Sequence, residues 1–265
     1  MTAVILTYLA VGAVSGVLAG LLGVGGGLVI VPMLVFVFPG QGIAESIQMK
    51  LALGTSLAAI ILTAISSLRA HHRRGAVRWD VVKRITPGII VGTFLGANFA
   101  SRIPSEWLRI FFVVFLFYVS IQLWIDKKPK PSRTLPGTAG MFGAGSVIGW
   151  VSSLVGIGGG SLSVPFMTWC NLPFHTVIGT SAAIGFPIAV AGTAGYVVGG
   201  WGNALLPPHA VGFIYLPAFL GIISASVLTA PLGAKLAHSL PVGRLKRIFA
   251  LLLMIMGIRM LWGLF

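Results

Sequence analysis

Two glycine-rich segments carry the residue types and spacing that favour chemistry in this chain. The first, GVGGG at residues 23–27, precedes Val31-Pro32, and the second, GIGGG at residues 156–160, lies 133 positions later and precedes Val164-Pro165. Consecutive glycines leave backbone N–H groups uncovered by any Cβ atom. The first N–H groups of a helix lack intrahelical partners and carry partial positive charge. Each segment therefore predicts an anion-binding helix N-terminus.

The acidic residues and histidines lie outside the apolar segments of the sequence. Charged groups inside a bilayer are costly and usually functional, but here every acidic residue and histidine lies in a connection or at the end of an apolar run. This placement argues against a carboxylate proton relay, a metal site or an intramembrane protease. We therefore predict neutral dipoles as the working groups, with no catalytic residue, metal or cofactor. The residues concerned are Glu45, Asp80, Glu106, Asp126, His71, His72, His175, His209 and His238.

Composition identifies the elements that must position the glycine segments. Of 265 residues, 57% are hydrophobic and only 8% are charged, with a mean hydropathy of +1.01. A soluble domain carries about a quarter charged residues, so the chain is predicted to be an all-α, polytopic integral membrane helical bundle embedded in the lipid bilayer. Eight apolar runs approach the length of a span: Val4–Leu22, Leu51–Leu68, Ile85–Ala100, Leu108–Ile125, Thr138–Val155, Val177–Val198, Val211–Leu232 and Leu245–Leu264.

Two further apolar runs, Leu28–Phe38 and Leu162–Cys170, are about half as long and follow the glycine segments directly. Pro32 and Pro165 interrupt them. Short Gly/Pro-broken segments at matching places in two halves are typical of half-helices at transporter binding sites. We therefore predict two glycine-broken half-helices.

The two halves of the chain match in three ordered blocks, which indicates duplication. Besides the glycine segments, Gly54-Thr55-Ser56 recurs at residues 179–181, and Gly96-Ala97 recurs as Gly233-Ala234. We predict repeat 1 over residues 1–125, a cytoplasmic linker over residues 126–136 and repeat 2 over residues 137–265.

Lysine and arginine positions favour an inverted arrangement of the repeats. The net charge is +14, and fourteen of the eighteen basic residues fall within residues 69–84, 127–133 and 235–247. Cytoplasmic loops carry such clusters, so they indicate orientation rather than nucleic-acid binding. We predict repeats related by an axis in the membrane plane, with both termini outside. Parallel repeats, the alternative, break the positive-inside rule twice.

Hydroxyl and cationic residues recur beside the glycine segments. The Thr-Ser pairs could donate to an anion or bond back to their own helix, and we expect them to start the helix after each half-helix. Lys50 and His175 occupy equivalent positions one turn earlier and could attract an anion. The candidate substrate-binding residues are Gly25, Gly26, Gly27, Thr55, Ser56, Gly158, Gly159, Gly160, Ser161, Thr180 and Ser181.

The duplicated G-x-G-G-G motif with its following proline and G-T-S segment resembles the TauE/SafE family of sulfite exporters, over essentially the entire chain. The resemblance implies a bacterial inner-membrane transporter of small anions, often sulfur-containing oxyanions or organosulfonates. It points again to the glycine segments and the Thr-Ser pairs.

The residues and the resemblance together predict a secondary transporter, with export of sulfite or an organosulfonate favoured. Because the chain has no nucleotide-binding P-loop, ATP is not expected to drive transport directly. An anion channel and a non-transporting membrane assembly protein are the alternatives. The sequence does not determine which anion is carried, the direction of transport or the coupling ion. It also allows a homo-oligomer.

Overall fold

The computed structural model describes residues 2–22, 26–125, 132–239 and 242–263. Within these ranges the chain forms ten α-helices, a short 3₁₀ helix at Pro39–Gln41 and an antiparallel hairpin of β1 (Ala210–Val211) and β2 (Ile214–Tyr215). The helices are α1 (Thr2–Leu22), α2 (Gly27–Val37), α3 (Glu45–Arg73), α4 (Trp79–Arg102), α5 (Ser105–Ile125), α6 (Thr138–Val155), α7 (Gly160–Trp169), α8 (Phe174–Gly200), α9 (Leu216–Ser239) and α10 (Val242–Trp262).

The predicted all-α membrane fold is confirmed. Among the described residues, α3, α5, α6 and α8 are long and apolar enough to cross a membrane. The two short runs form α2 and α7, of 11 and 10 residues. One boundary was wrong: the run predicted from Val211 begins as a helix only at Leu216, because Ala210–Tyr215 forms the hairpin.

Small residues bring two pairs of helices into backbone contact. A Cβ atom at Gly12 of α1 would lie 2.5 Å from the carbonyl oxygen of Ile222 in α9, and one at Gly16 would lie 2.6 Å from Ser226 Cα. In α6, Cβ atoms at Gly145 and Gly149 would collide with α4 in the same manner. Such close approach is the usual role of glycines spaced four apart in membrane helices.

The contacts of the two pairs correspond residue by residue. Gly145 and Gly149 lie 133 positions after Gly12 and Gly16. Their partners in α4, Ile85 and Ile89, lie 137 positions before the α9 partners Ile222 and Ser226. The first helix of each predicted repeat thus packs on the fourth helix of the other.

The predicted linker lies partly outside the described residues, since only its second half, from Ser132, is included. The N–H groups of Ser132 and Arg133 both donate to Trp169 O at the end of α7. The Arg133 guanidinium stacks over the Trp169 ring, 5.0 Å from its centroid. These contacts hold the start of the second half against the end of its half-helix.

Candidate functional site

Both half-helices begin at a glycine in the left-handed conformation. Gly26 precedes α2 with φ 73°, and Gly159 precedes α7 with φ 78°. These two residues lie 133 positions apart, so the same turn occupies the same place in each half. A side chain is disfavoured at such φ values. The backbone conformation therefore favours glycine at both Gly26 and Gly159.

The first N–H groups of each half-helix precede its hydrogen-bonding ladder. In α2 the earliest helical bonds run from Val29 and Ile30 to Gly26 O, so the N–H groups of Gly27 and Leu28 come before them. In α7, Leu162 and Ser163 donate to Gly159 O, which leaves the N–H groups of Gly160 and Ser161 ahead of the ladder. These are the positive ends expected of helix dipoles.

The glycine segments of the two halves touch. A Cβ atom at Gly27 would collide with the carbonyl oxygen of Gly156 and lie 3.2 Å from Ile157 Cα. Gly27 is buried, as is the whole segment from Gly156 to Gly159. The structure therefore brings Gly27 against the start of the second segment, at Gly156 and Ile157, and Ile60 contacts both Gly27 and Gly158. Gly25 lies outside the described residues.

Aliphatic side chains cover this meeting point. Ile60 of α3 reaches both segments: its Cδ1 would be 3.0 Å from a Cβ at Gly27, and its Cγ2 3.3 Å from one at Gly158. Ile188 of α8 presses its Cδ1 against Gly159. Ile60 is only 1% exposed and Ile188 is fully buried. The N-terminal tips are thus enclosed by side chains that carry no charge.

A buried hydroxyl faces the second tip without a partner. Ser152 of α6 is fully buried, and its Oγ atom donates to and accepts from no described group. That Oγ lies 3.6 Å from where a Cβ at Gly159 would be. Buried hydroxyls are almost always hydrogen-bonded, so this one is positioned to serve an added oxygen atom at the α7 tip. Sequence reasoning did not single out Ser152, because two adjacent serines in an apolar run are common and carry no distinctive signal.

The Thr-Ser pairs do not start their helices. Thr55-Ser56 lies about three turns into α3, which begins at Glu45, and Thr180-Ser181 lies in the second turn of α8, which begins at Phe174. The expected start was wrong because the residues before each apolar run are also helical and extend the helix. All four side chains are buried.

The two threonines bind backbone from the opposite half. Thr55 Oγ1 accepts the Tyr215 N–H at 3.0 Å, and Thr180 Oγ1 accepts the Arg78 N–H at 3.0 Å. Tyr215 precedes α9 and Arg78 precedes α4, at positions 137 residues apart. In the structure, both threonine hydroxyls therefore accept a hydrogen bond that joins the two halves.

The two serines lie nearer to the glycine segments. Ser56 Oγ donates to Gly156 O at 2.9 Å, which joins α3 to the second glycine segment. Ser181 Oγ and Ser163 Oγ are 2.7 Å apart and share a hydrogen bond between α8 and α7. Ser161, in the first turn of α7, is half-buried.

The two cationic candidates have different surroundings. Lys50 is half-buried, and its Nζ lies 5.8 Å from the centroid of the Phe213 ring, in a cation–π contact. His175 is exposed in the first turn of α8.

Next to the Thr180 contact, the exposed Arg78 side chain pairs with Asp80 and lowers the pKa of that carboxyl to about 2, chiefly by hydrogen bonding.

Comparison with known proteins agrees with this architecture. A family model described as sulfite exporter TauE/SafE matches residues 8–260. A probable membrane transporter protein of Haemophilus influenzae is 41% identical, and the match covers 97% of each chain.

More distant relatives also match along nearly their whole length. The probable membrane transporter protein YunE of Bacillus subtilis is 27% identical over 99% of this chain and 98% of its own. A probable membrane transporter protein of Methanocaldococcus jannaschii is 27% identical over 95% and 93%. No solved structure matches. With its half-helices, its apolar spans and a family match over nearly all its length, this chain is a multi-pass membrane transporter, not an enzyme, and belongs to the sulfite exporter TauE/SafE family.

Proposed function

We propose that this protein exports a small anion, such as sulfite or an organosulfonate, across a bacterial inner membrane. The anion is held near the bilayer midplane by the N-terminal N–H groups of α2 and α7. The substrate class and direction rest on the family description, whereas the binding chemistry rests on the geometry of the two tips.

One observation carries the binding proposal: two left-handed glycines, Gly26 and Gly159, turn the chain into half-helices, and the glycine segments that begin them are in contact. Irregular backbone at membrane depth is tolerated only where it packs in protein or lines a cavity. Paired N-terminal dipoles then supply donors to an anion without a cationic side chain. Ser152 Oγ adds a hydroxyl at the α7 tip.

The Thr-Ser pairs act in this proposal mainly through position. Thr55 and Thr180 anchor the segments before α9 and α4, so they fix the crossing of the two halves. Ser56 and Ser181 lie closer to the tips and are able to exchange their present partners for a bound oxygen atom. Lys50 and His175, which flank the pairs along the chain, attract the anion from either side.

The positions of the Ile60 and Ile188 side chains favour transport by alternating access rather than by a continuously open pore. The two side chains close over the glycine segments, so an anion reaches the N–H groups only after these side chains move. Ile60 lies on α3 and Ile188 lies on α8, the two helices that carry the Thr-Ser pairs. A rocking motion of the two repeats about the tips would expose the site to each side in turn.

We propose that the repeats are inverted, with both termini outside. The matched pairs Thr55–Tyr215 and Thr180–Arg78 are exchanged between halves, as a pseudo-twofold relationship requires. In this arrangement, the α2 half-helix extends from the midplane towards the outer side of the membrane. The α7 half-helix extends from the midplane towards the cytoplasmic side. Such opposed half-helices are a recurring design of secondary transporters.

In a proton-coupled cycle, we expect the substrate itself to carry the proton. The described acidic residues Glu45, Asp80 and Glu106 are all exposed near helix starts; Asp126 lies outside the described residues. A travelling proton would therefore be carried on the anion itself, as in bisulfite.

Purified protein in proteoliposomes tests the proposal. We expect saturable movement, down the imposed gradient, of one or more anions from a panel of sulfite, thiosulfate, sulfate, sulfonates and small carboxylates. Movement of none of them contradicts the proposed substrate class. Single-channel currents would show a channel instead, because an open pore conducts far faster than about 10³ ions per second, an upper range for catalytic turnover.

A further inference from the structure

A separate pocket of about 510 Å³ lies where the ends of four helices meet, away from the glycine tips. The end of α2 contributes Phe36, and the start of α3 contributes Glu45 and Gln48. Arg109 projects from the start of α5, and Arg259 lies in the last turn of α10. All these helix ends belong to the predicted outer side of the membrane.

The Nε atom of Arg109 is a donor without a described acceptor. The atom is buried, and no described group accepts a hydrogen bond from it. The Arg109 guanidinium lies close to Gly263, just after α10, where any Cβ atom would collide with it. Buried donors are nearly always paired in folded proteins. A guanidinium presents its N–H groups as a planar fork that matches the oxygens of a carboxylate, phosphate or sulfonate.

The pocket is asymmetric in charge. Arg109 and Arg259 bring two positive charges from different helices, and Glu45 brings one negative charge, so the lining carries a net charge of +1. Gln48 Nε2 donates to Ile43 O at 2.8 Å, which fixes the amide at the pocket wall. The lining thus fits one singly charged group and repels a cation.

We propose that this outer pocket is a binding site for a singly charged oxyanion, with Arg109 as its principal donor and Arg259 as the second. Helix ends lie at the depth of lipid headgroups. Two sources share the required chemistry: the phosphodiester of an anionic lipid and a free phosphate-like or sulfonate-like anion. The site uses side-chain cations, so it is independent of the glycine tips and of the function proposed for them.

Ligand binding to the full chain in neutral detergent tests this site. Titration with inorganic phosphate forms one arm, and titration with short-chain phosphatidylglycerol, against phosphatidylcholine, forms the other. Binding is followed by the rise in melting temperature and by tryptophan fluorescence. We expect saturation in at least one arm: the phosphate arm identifies a free anion, and the phosphatidylglycerol arm identifies a lipid headgroup.

Charge variants then identify the pocket. Arg109→Gln and Arg259→Gln should each weaken binding about tenfold, as expected for loss of one charge-assisted pair. Glu45→Gln should tighten binding several-fold, a gain that a misfolded protein cannot produce. Arg102→Gln is the matched control because it removes an exposed charge from the same predicted side, outside the pocket lining. Saturation in neither arm, or equal affinity in Arg109→Gln and Arg102→Gln, would overturn the proposal.

Discussion

The two glycine tips share a backbone but differ in what surrounds them. Ile60 of α3 contacts both glycine segments, and the corresponding residue of α8, 125 positions later, is Gly185. Gly185 lets the Gly158 carbonyl approach, at 3.0 Å from the position of a Cβ. At this pair of matched positions, the first half carries a bulky side chain and the second half carries none.

Hydroxyl-bearing residues are also distributed unequally between the two half-helix tips. The α7 half-helix begins Gly-Ser-Leu-Ser, whereas α2 begins Gly-Leu-Val-Ile, and the residue of the first half that corresponds to Ser152 is Ala19. Hydroxyls therefore gather at the second tip, while the first offers backbone dipoles alone. The two halves thus share the backbone conformation of the turn but differ in the side chains around it.

The largest effect is expected from Gly159→Val, which breaks the second tip. A β-branched residue at φ 78° is strained, and its side chain would meet Ile188 and cover the adjacent N–H groups. Loss of hydrogen bonds to an anion should lower transport about a hundredfold or more. Proteoliposome flux measures this loss.

Gly143→Val is the control for that variant. Gly143 lies in α6 with no atom within 4 Å of its Cβ position, so the same change should leave flux near the original value. Undiminished flux in Gly159→Val would remove the second tip from the site, and loss in both variants would indicate a general defect of the helices.

Ile60→Ala should produce the next largest effect, by making the two halves alike. Removing the closing side chain enlarges the space between the tips, so bulkier sulfonates should gain relative to sulfite by about tenfold, the usual scale for a few methylene groups in a pocket. The measurement is the ratio of flux for the two substrates. Leu62→Ala, on the same helix but 39% exposed, should leave the ratio unchanged.

Ser152→Ala tests whether the second tip owes its polarity to a hydroxyl that binds substrate. We expect KM to rise about fivefold, the effect of losing one hydrogen bond. Stability should stay the same or increase, because the variant removes a buried hydroxyl that has no described partner. Ser153→Ala removes a hydroxyl that donates to Trp150 O and should leave KM unchanged. An unaltered KM in Ser152→Ala would contradict the role.

Thr180→Val should have the smallest effect on transport and a clear effect on stability. It leaves the Arg78 N–H without its acceptor, at a cost of about 1–3 kcal/mol in unfolding free energy. Thermal unfolding in detergent would detect the change, and Thr180→Ser should restore stability by retaining the acceptor. A normal melting temperature together with a large rise in KM would instead make Thr180 a direct substrate contact.

Much of the fold was predictable because the bilayer imposes a simple rule on composition and length. Apolar runs located the helices, and glycine followed by proline located α2 and α7. The helix starts were less predictable: α3 begins six residues before its apolar run, since the polar turn containing Glu45 and Gln48 is helical yet adds no hydrophobic signal. The hairpin before α9 cannot be told from helix by hydropathy, because its short strands are also apolar.

The candidate site was predictable only where backbone requirements appear as residue type. Runs of glycine are typical of turns that need a positive φ, which is why the sequence singles out the two segments that contain Gly26 and Gly159. Partners across the two halves leave no such mark. Thr55 and Thr180 have the sequence character of ligands or self-bonding hydroxyls, but their acceptor atoms meet N–H groups more than a hundred residues away.

The sequence by itself determined that this chain is a helical membrane protein, with two half-helices started by glycine and few charges. Those properties follow from hydrophobic burial and from the φ values open to glycine, which are local. Tertiary structure alone decided that the glycine segments meet, that Ile60 contacts both, that the Ser152 hydroxyl lies near Gly159 and that the Arg109 Nε has no described acceptor. Each of these depends on which distant surfaces pack together, and packing is a property of the whole bundle.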